Sequence, residues 1–117
     1  MSITDPNLGL TYGWEQGENN WHTGMDSNLK KLGAIVGLSV LNRDFSTPPA
    51  TAANGQRYIV ASNPTGSWKD KCQQIALRSS DGWDFYQARE GWLCYIVKEA
   101  KLVVYTKDGW SAGIAMT

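Results

Sequence analysis

The fold class of this 117-residue chain is decided by one stretch, residues 73–110, QQIALRSSDGWDFYQAREGWLCYIVKEAKLVVYTKDGW. Runs rich in β-branched and aromatic residues alternate here with short polar breaks, which is typical of strands joined by tight turns. Asp-Gly occurs at 81–82 and 108–109 and Glu-Gly at 90–91, each followed by tryptophan. Glycine accepts a positive φ and aspartate tolerates it, so the acid and the glycine turn the chain and the tryptophan begins the next strand. The stretch therefore predicts antiparallel hairpins.

The rest of the chain adds a helix and a leader to these strands. RYIVAS at 57–62 predicts one more strand, and the Pro-Pro pair at 48–49 separates the strands from the one helix candidate, residues 26–41. We expect an α+β fold with an irregular N-terminal segment, one helix (about 26–41) and then an antiparallel β-meander of five or six short strands. In this interpretation residues 1–24 form an extended docking segment and residues 25–117 form a single α+β domain.

The helix candidate carries an apolar stripe. Asp26 or Ser27 is expected to cap its N-terminus. The stripe steps by four, three and four residues along one face: Met25, Leu29, Leu32 and Val36. This spacing is that of a short coiled-coil seam, which can seed a trimer but is too short to hold one alone. The alternative is one face of a helix that packs on the core of its own domain.

The strands predicted at 92–97 and 101–106 are apolar on both faces. One face of the first strand carries Trp92, Cys94 and Ile96, and the other carries Leu93, Tyr95 and Val97. We expect the hairpin to be covered on both sides. A single helix covers one side, so the domain has more apolar surface than the helix can bury, and the rest is left for the N-terminal segment or a second subunit.

The tryptophans have two alternative roles. The first is core and strand-edge packing. The second is a surface on which exposed indoles stack on sugar rings, with Trp68, Trp83 and Trp110 as the candidates. Trp68 is the strongest of these because it lies in a polar turn, NPTGSWKD, at 63–70. In the turn-rich leader, Tyr12, Trp14 and Trp21 are the large aromatics, and we expect them to dock on another surface.

Composition limits the function classes. Lys plus Arg and Asp plus Glu number 11 each, so the net charge is zero and there is no electrostatic case for nucleic acid or an anionic membrane. No apolar run is long enough for membrane insertion, and the N-terminus has no secretion signal. Cys72 and Cys94 have no metal spacing and are expected as reduced thiols. No nucleophile or phosphate-loop motif occurs, and His22 lies in a polar turn. We expect no enzyme activity, no cofactor and no metal.

The order of the motifs resembles that of a known family. The relevant motifs are PPATAANGQRYIV, TGSW, DGWDF, REGWLCYIV, KLVVYT and DGW. In this order they resemble a phage-associated domain of unknown function found in tail-fibre and host-specificity proteins of tailed phages and gene transfer agents. Residues 8–36 are similar to a leader common in phage tail and fibre proteins. The resemblance covers residues 8–113, and Ala88 departs from it where the family is expected to have proline.

The resemblance implies a non-enzymatic structural protein of a bacteriophage virion, assembled in the host cytoplasm. It would be a tail, baseplate or fibre component, or an adaptor, that docks on neighbouring virion proteins. The expected partners are other phage virion proteins and further copies of the chain as a homo-oligomer, with a trimer favoured. Two alternatives remain: a carbohydrate-binding module that recognises a host glycan, and a capsid decoration protein.

Overall fold

The computed structural model describes residues 2–116, and its described part contains one α-helix, one 3-10 turn and ten short strands. The α+β class is confirmed. The chain divides into two compact units, Met1–Val36 and Gly37–Thr117. The elements are β1 (Ile3–Thr4), β2 (Thr11–Tyr12), α1 (Trp21–Ile35), β3 (Ser39–Val40), β4 (Arg57–Ile59), the 3-10 turn (Gly66–Trp68), β5 (Ile75–Ser79), β6 (Gly82–Tyr86), β7 (Leu93–Ile96), β8 (Lys101–Thr106), β9 (Gly109–Trp110) and β10 (Ile114–Ala115).

The N-terminal unit consists of the β1–β2 hairpin and the helix. Polar side chains of α1 hold the hairpin to it. Asn28 accepts the N–H of Thr11 at 2.8 Å and donates to its carbonyl at 2.6 Å. Lys31 Nζ donates to the carbonyl of Gly9 at 2.8 Å. The leader thus occupies one face of the helix, and these bonds pair backbone groups of Thr11 and Gly9.

The predicted helix bounds were wrong by five or six residues at each end. The helix begins at Trp21, after Asn20 in the left-handed region, so Asp26 and Ser27 are inside it and not caps. It ends at Ile35 because Val36 is extended and Gly37 has φ +61°. The apolar period continues to residue 40, but the last part of that run forms β3.

The C-terminal unit contains two sheets where a single meander was predicted. One has the order β10-β8-β7-β3, with β9 also paired to β8, and the other has the order β4-β5-β6. The β3–β7 pair is parallel, Val40 beside Ile96. No hairpin therefore joins β6 to β7. The segment 87–92 crosses from one sheet to the other, and Ala88 within it is buried.

Two of the three Gly-Trp turns are hairpin turns as predicted. Ser79 pairs with Gly82 and Thr106 pairs with Gly109, which leaves two residues in each turn. Gly82 and Gly109 have φ +144° and +106°, values that favour glycine. The hairpin of β7 and β8 is also confirmed, with Ile96 opposite Lys101.

Two apolar clusters form the core of this unit. The first lies between the sheets: Leu38, Val40, Ile59, Ile75, Cys94, Ile96 and Val103, with Tyr86, Trp92 and Trp110 at its margin. The second lies on the opposite face of the three-stranded sheet: Tyr58, Val60, Trp68 and Ala76, with Leu41, Ala52, Trp83 and Phe85. The small sheet is thus covered on both faces.

An ion pair holds the segment between β9 and β10. Arg43 makes two hydrogen bonds of 2.9 Å to the carboxylate of Glu99 and donates to the carbonyls of Ser111 at 2.7 Å and Ala112 at 3.1 Å. Both side chains are about one-fifth exposed. A paired guanidinium fork of this kind holds planar acceptors more rigidly than a lysine does.

Within residues 2–116, one face of the five-stranded sheet is buried and the other is partly exposed. Cys94, Ile96 and Val103 on the inner face are buried. On the outer face, Leu93 and Ile114 are exposed. That this second face is covered by the N-terminal segment or by a second subunit stays a prediction.

Candidate functional site

The predicted sugar platform Trp68 is a core residue. Its exposed fraction is 0%, and its indole lies edge-to-face on Trp83 with ring centroids 5.0 Å apart. The 3-10 turn that carries it starts at Gly66, with φ +62°, and aims the ring inward. Its indole N–H has no hydrogen-bond partner among residues 2–116. The prediction of an exposed Trp68 was wrong, because a polar loop can still direct one large side chain into the interior.

Trp83 and Trp110 are half-buried and lie in different clusters. The Arg78 guanidinium stands 5.6 Å from the centre of a Trp83 ring. Trp110 donates from Nε1 to the carbonyl of Gln73 at 2.9 Å and packs on Tyr105. Each indole is thus engaged within the unit, and the three predicted platform residues do not form one surface.

The predicted assembly residues, in contrast, lie largely at the surface. On α1, Trp21, Met25 and Leu29 are exposed, Leu29 by 61%, and Leu32 is half-buried. At 100° per residue these four positions span an arc of about 80°. The arc lies beside the face of α1 that Gly24, Asn28 and Lys31 present to the leader. Val36, which extends the stripe, is exposed but follows the helix in extended conformation.

The leader aromatics have two different environments. Tyr12 is exposed on β2. Trp14 is half-buried, and its ring lies so close to the helix that a Cβ at Gly24 would overlap it. Gly24 was not among the predicted residues. The only sequence signal for a close approach of the Trp14 ring to Gly24 is that Gly24 follows this tryptophan by ten residues, after a turn-rich segment.

A cavity of about 560 Å³ opens where the leader turns into the helix. Its walls are a continuous segment of nine residues: Trp14, Glu15, Gln16, Gly17, Glu18, Asn19, Asn20, Trp21 and His22. The chain doubles back here through left-handed Gly17 and Asn20, with φ +81° and +70°. The lining residues carry two indoles, two carboxylates, three amides and one imidazole.

The acidic side of the cavity is ordered by the turn itself. Glu18 accepts the backbone N–H of Glu15 at 3.0 Å. That bond lowers the pKa of Glu18, because a donor on the carboxylate favours its charged form. Trp21 and His22 rings stand nearly perpendicular, with centroids 6.0 Å apart. The sequence did not predict this cavity. Its signal in the sequence was a pair of tryptophans, Trp14 and Trp21, with a glycine and two glutamates between them.

A second cavity lies in the C-terminal unit. It measures about 330 Å³ and opens on the outer face of the five-stranded sheet. Its lining is mostly aliphatic: Leu93, Leu102, Val103, Val104, Ser111, Gly113 and Ile114. No charged side chain lines it, so its chemistry is that of an apolar contact surface.

The thiols and acidic groups give no sign of a metal centre within residues 2–116. No group of three or more His, Cys, Asp or Glu side chains comes together in this part of the chain. Both cysteines are free, Cys72 exposed and Cys94 buried. Burial raises the pKa of the Cys94 thiol to about 12, so this thiol is protonated at neutral pH. Across the same described residues, no helix is long and apolar enough to span a bilayer.

The comparison with curated proteins finds no match to this chain. The comparison with protein families finds one that covers residues 25–111, from the helix seam through the two sheets to Ser111. This match includes most of the helix, all of the Gly-Trp turns and both core clusters. The chain therefore belongs to the protein family of unknown function DUF2793.

Proposed function

We propose that the chain is a structural protein of a bacteriophage virion, a tail, baseplate or fibre component or adaptor, whose copies associate through α1. The observation that carries this proposal is the apolar seam of Met25, Leu29 and Leu32 on α1, which Val36 extends just past the helix; Met25, Leu29 and Val36 are exposed and Leu32 is half-buried. Exposed apolar side chains that follow one another along a helix are typical of a protein contact surface. The resemblance of the chain to domains of tail-fibre and host-specificity proteins supports the virion setting.

The partner that best fits the seam is a second copy of the same chain. On the helix itself the seven-residue repeat runs from Met25 to Leu32, which is the spacing of helices that pair lengthwise. None of these positions carries a charge. The neutral balance of the chain also favours self-association over a freely diffusing monomer. A trimer is the arrangement expected of a fibre or spike.

The seam is tested by replacing Leu29 with glutamate. In an oligomer this substitution places a charge among apolar side chains, so we expect self-association to weaken at least about tenfold. Sedimentation equilibrium at several concentrations measures the change. Ser27→Glu adds the same charge on an exposed position away from the seam, and it should leave the oligomer intact. A wild-type chain that stays monomeric at all concentrations would contradict the association.

The virion setting needs its own test. Particles purified from a host that carries the gene should contain the chain by mass spectrometry, and immunogold labelling should mark the tail, the baseplate or the fibres. Leu29→Glu should reduce its copy number in the particles, while Ser27→Glu should not. Label on the capsid would favour the decoration alternative, and absence of the chain from particles would refute a virion role.

A further inference from the structure

We propose that the free edge of β6 binds an acidic, extended segment of a partner protein as an added antiparallel strand. β6 is an end strand of the three-stranded sheet. The strand at the other end, β4, is already covered, because the N–H of Leu41 donates to the carbonyl of Arg57 at 2.9 Å and that of Ile59 donates to Asn42 at 3.2 Å. The edge of β6 is separate from the seam on α1 and does not depend on it.

The main chain of Trp83 and Phe85 faces this free edge. Trp83 lies opposite Arg78 of β5, but the N–H of Arg78 donates to Gln56 at 2.9 Å and its carbonyl accepts from Gly55 at 2.8 Å, both just before β4. Antiparallel strands alternate between residues that bond to the neighbour and residues that face away, so Trp83 and Phe85 both face away from β5. Within the described part of the chain, no group hydrogen-bonds to their main chain. Their N–H and carbonyl groups are therefore available to another strand.

Two cations lie over the rings of these same residues. The guanidinium of Arg78 stands 5.6 Å from the centre of a Trp83 ring, and Nζ of Lys71 stands 5.2 Å from that of Phe85. Asp84 lies between the two aromatics in sequence and projects from the opposite face of the strand. A cation held over a ring keeps its N–H donors, and its side chain is already ordered, so that it loses little entropy when it pairs with a carboxylate.

The acids nearby leave these cations to a partner. Asp70 and Asp81 are exposed in the adjoining turns. Among residues 2–116, neither Arg78 nor Lys71 forms an ion pair with a carboxylate. Both cations are half-buried, so their charge is less screened than that of a fully exposed side chain.

The spacing of the site suits a strand with acidic side chains at alternate positions. Residues two apart on a strand project from the same face and lie about 7 Å from each other. In an added strand, the side chains opposite Trp83 and Phe85 point to the face that carries the two cations. A glutamate at each of these positions meets one cation. The main-chain bonds thus supply affinity, and the charges select the partner.

A second copy of the chain does not fit this edge as well. Pairing of β6 with β6 of another copy brings Arg78 and Lys71 of the two chains close together, and like charges repel across neighbouring strands. Cations beside an exposed edge are a common protection against such self-pairing. The charge that keeps two copies apart attracts an acidic strand.

The test uses the full-length chain, labelled with ¹⁵N, and a synthetic heptapeptide in which glutamate and valine alternate. We expect the amide resonances of Trp83 and Phe85 to shift most during the titration. The same peptide with lysine in place of glutamate should bind at least about tenfold more weakly. Methylation of the glutamate nitrogens, which removes the N–H donors that face β6, should weaken binding to a similar extent.

Substitutions on the protein test the charge. The double variant Arg78→Gln and Lys71→Gln should bind the acidic peptide about tenfold more weakly. The control is the double variant Lys30→Gln and Lys107→Gln, which removes the same charge at two exposed positions away from β6 and should bind as the wild type does. Circular dichroism confirms that each variant is folded.

The site is refuted if the acidic peptide causes no shift at about 1 mM, or if the lysine peptide or the methylated peptide binds as tightly. Unchanged binding by the Arg78 and Lys71 double variant also refutes it. Amides of Trp83 and Phe85 that gain protection from hydrogen exchange as the protein alone is concentrated would show that a second copy occupies the edge. Leu29→Glu should bind the peptide as the wild type does, which separates this site from the seam.

Discussion

The two units of the molecule use the same residue types in opposite ways. In Gly37–Thr117, large apolar side chains fill two clusters, and Trp68 and Ile75 have no exposed surface. In Met1–Val36, Trp21 and Leu29 are more than half exposed. The second unit thus buries its largest aromatic side chain in a core, although Leu93 and Ile114 remain exposed, whereas the first unit leaves Trp21 and Leu29 at the surface. Elements with few buried apolar contacts are also those that open most easily.

The difference between the two units is tested most strongly by removing one tryptophan from each and comparing the loss of stability. Trp68→Ala should destabilise the chain by about 3–5 kcal/mol, since it empties a site that Tyr58 and Trp83 enclose. Trp21→Ala should change the free energy of unfolding by less than about 0.5 kcal/mol, because its side chain is exposed. Urea unfolding followed by far-ultraviolet circular dichroism measures both.

Hydrogen exchange provides the control for that experiment. In Trp68→Ala the amides of Tyr58 and Ala76, which belong to the same cluster, should lose protection. In Trp21→Ala they should keep it. Equal destabilisation by the two substitutions would show that the N-terminal tryptophan is as integral to the fold as the core one.

The sequence predicted what is local. Asp-Gly at 81–82 and at 108–109 predicted hairpin turns; their two turn residues are Ser80-Asp81 and Lys107-Asp108, and each glycine is the first residue of the next strand. Alternation also placed Trp83 and Phe85 on one face of β6. These features depend on φ preferences and on the period of a strand, which neighbouring residues determine. The α+β class followed from the same patterns.

What the sequence could not predict is non-local. The inward turn of Trp68 depends on Tyr58 and Trp83, which are ten and fifteen residues away. The pairing of Val40 with Ile96 converts the end of an apolar helical period into a parallel strand, because β-branched residues also suit a sheet. Of the candidate site, the tryptophans of the leader were identified, but the cavity between them depends on left-handed turns at Gly17 and Asn20.

Two glycines of the helix, Gly24 and Gly33, differ in whether another residue of the N-terminal unit packs against them. A Cβ at Gly33 meets no atom within 4 Å, so Gly33→Ala should stabilise the chain by about 1 kcal/mol through helix propensity. The same change at Gly24 would overlap the Trp14 ring, so we expect that gain to be lost. Thermal melts measure both variants. An indole resonance that shifts in Gly24→Ala but not in Gly33→Ala would show the displacement of Trp14; equal stabilisation by the two would refute the close contact.

The two cysteines show the same difference between surface and core, because the thiol of Cys72 is exposed and that of Cys94 is buried. Burial raises the pKa of Cys94 to about 12 from an ordinary value of 9.0. Above about pH 9 the unfolded chain releases this proton and the folded chain keeps it, so the free energy of unfolding falls as pH rises towards the folded pKa. Between about pH 8.5 and about pH 9.5 the expected loss is under about 1 kcal/mol. Burial also raises the pKa of Tyr58 and Tyr86 from 10.0, which keeps their ionisation in the folded chain above this window.

The measurement compares how steeply the free energy of unfolding falls with pH, because a substitution at Cys94 also changes packing and therefore the absolute stability. Cys94→Ala should flatten the decline of unfolding free energy over this window, whereas Cys72→Ala, at an exposed thiol, should leave it unchanged. Iodoacetamide should label Cys72 in the native chain and reach Cys94 only on unfolding, since the buried thiol is both protonated and shielded. Labelling of both thiols at the same native rate would show that the core around Val103 and Ile96 opens as readily as the surface.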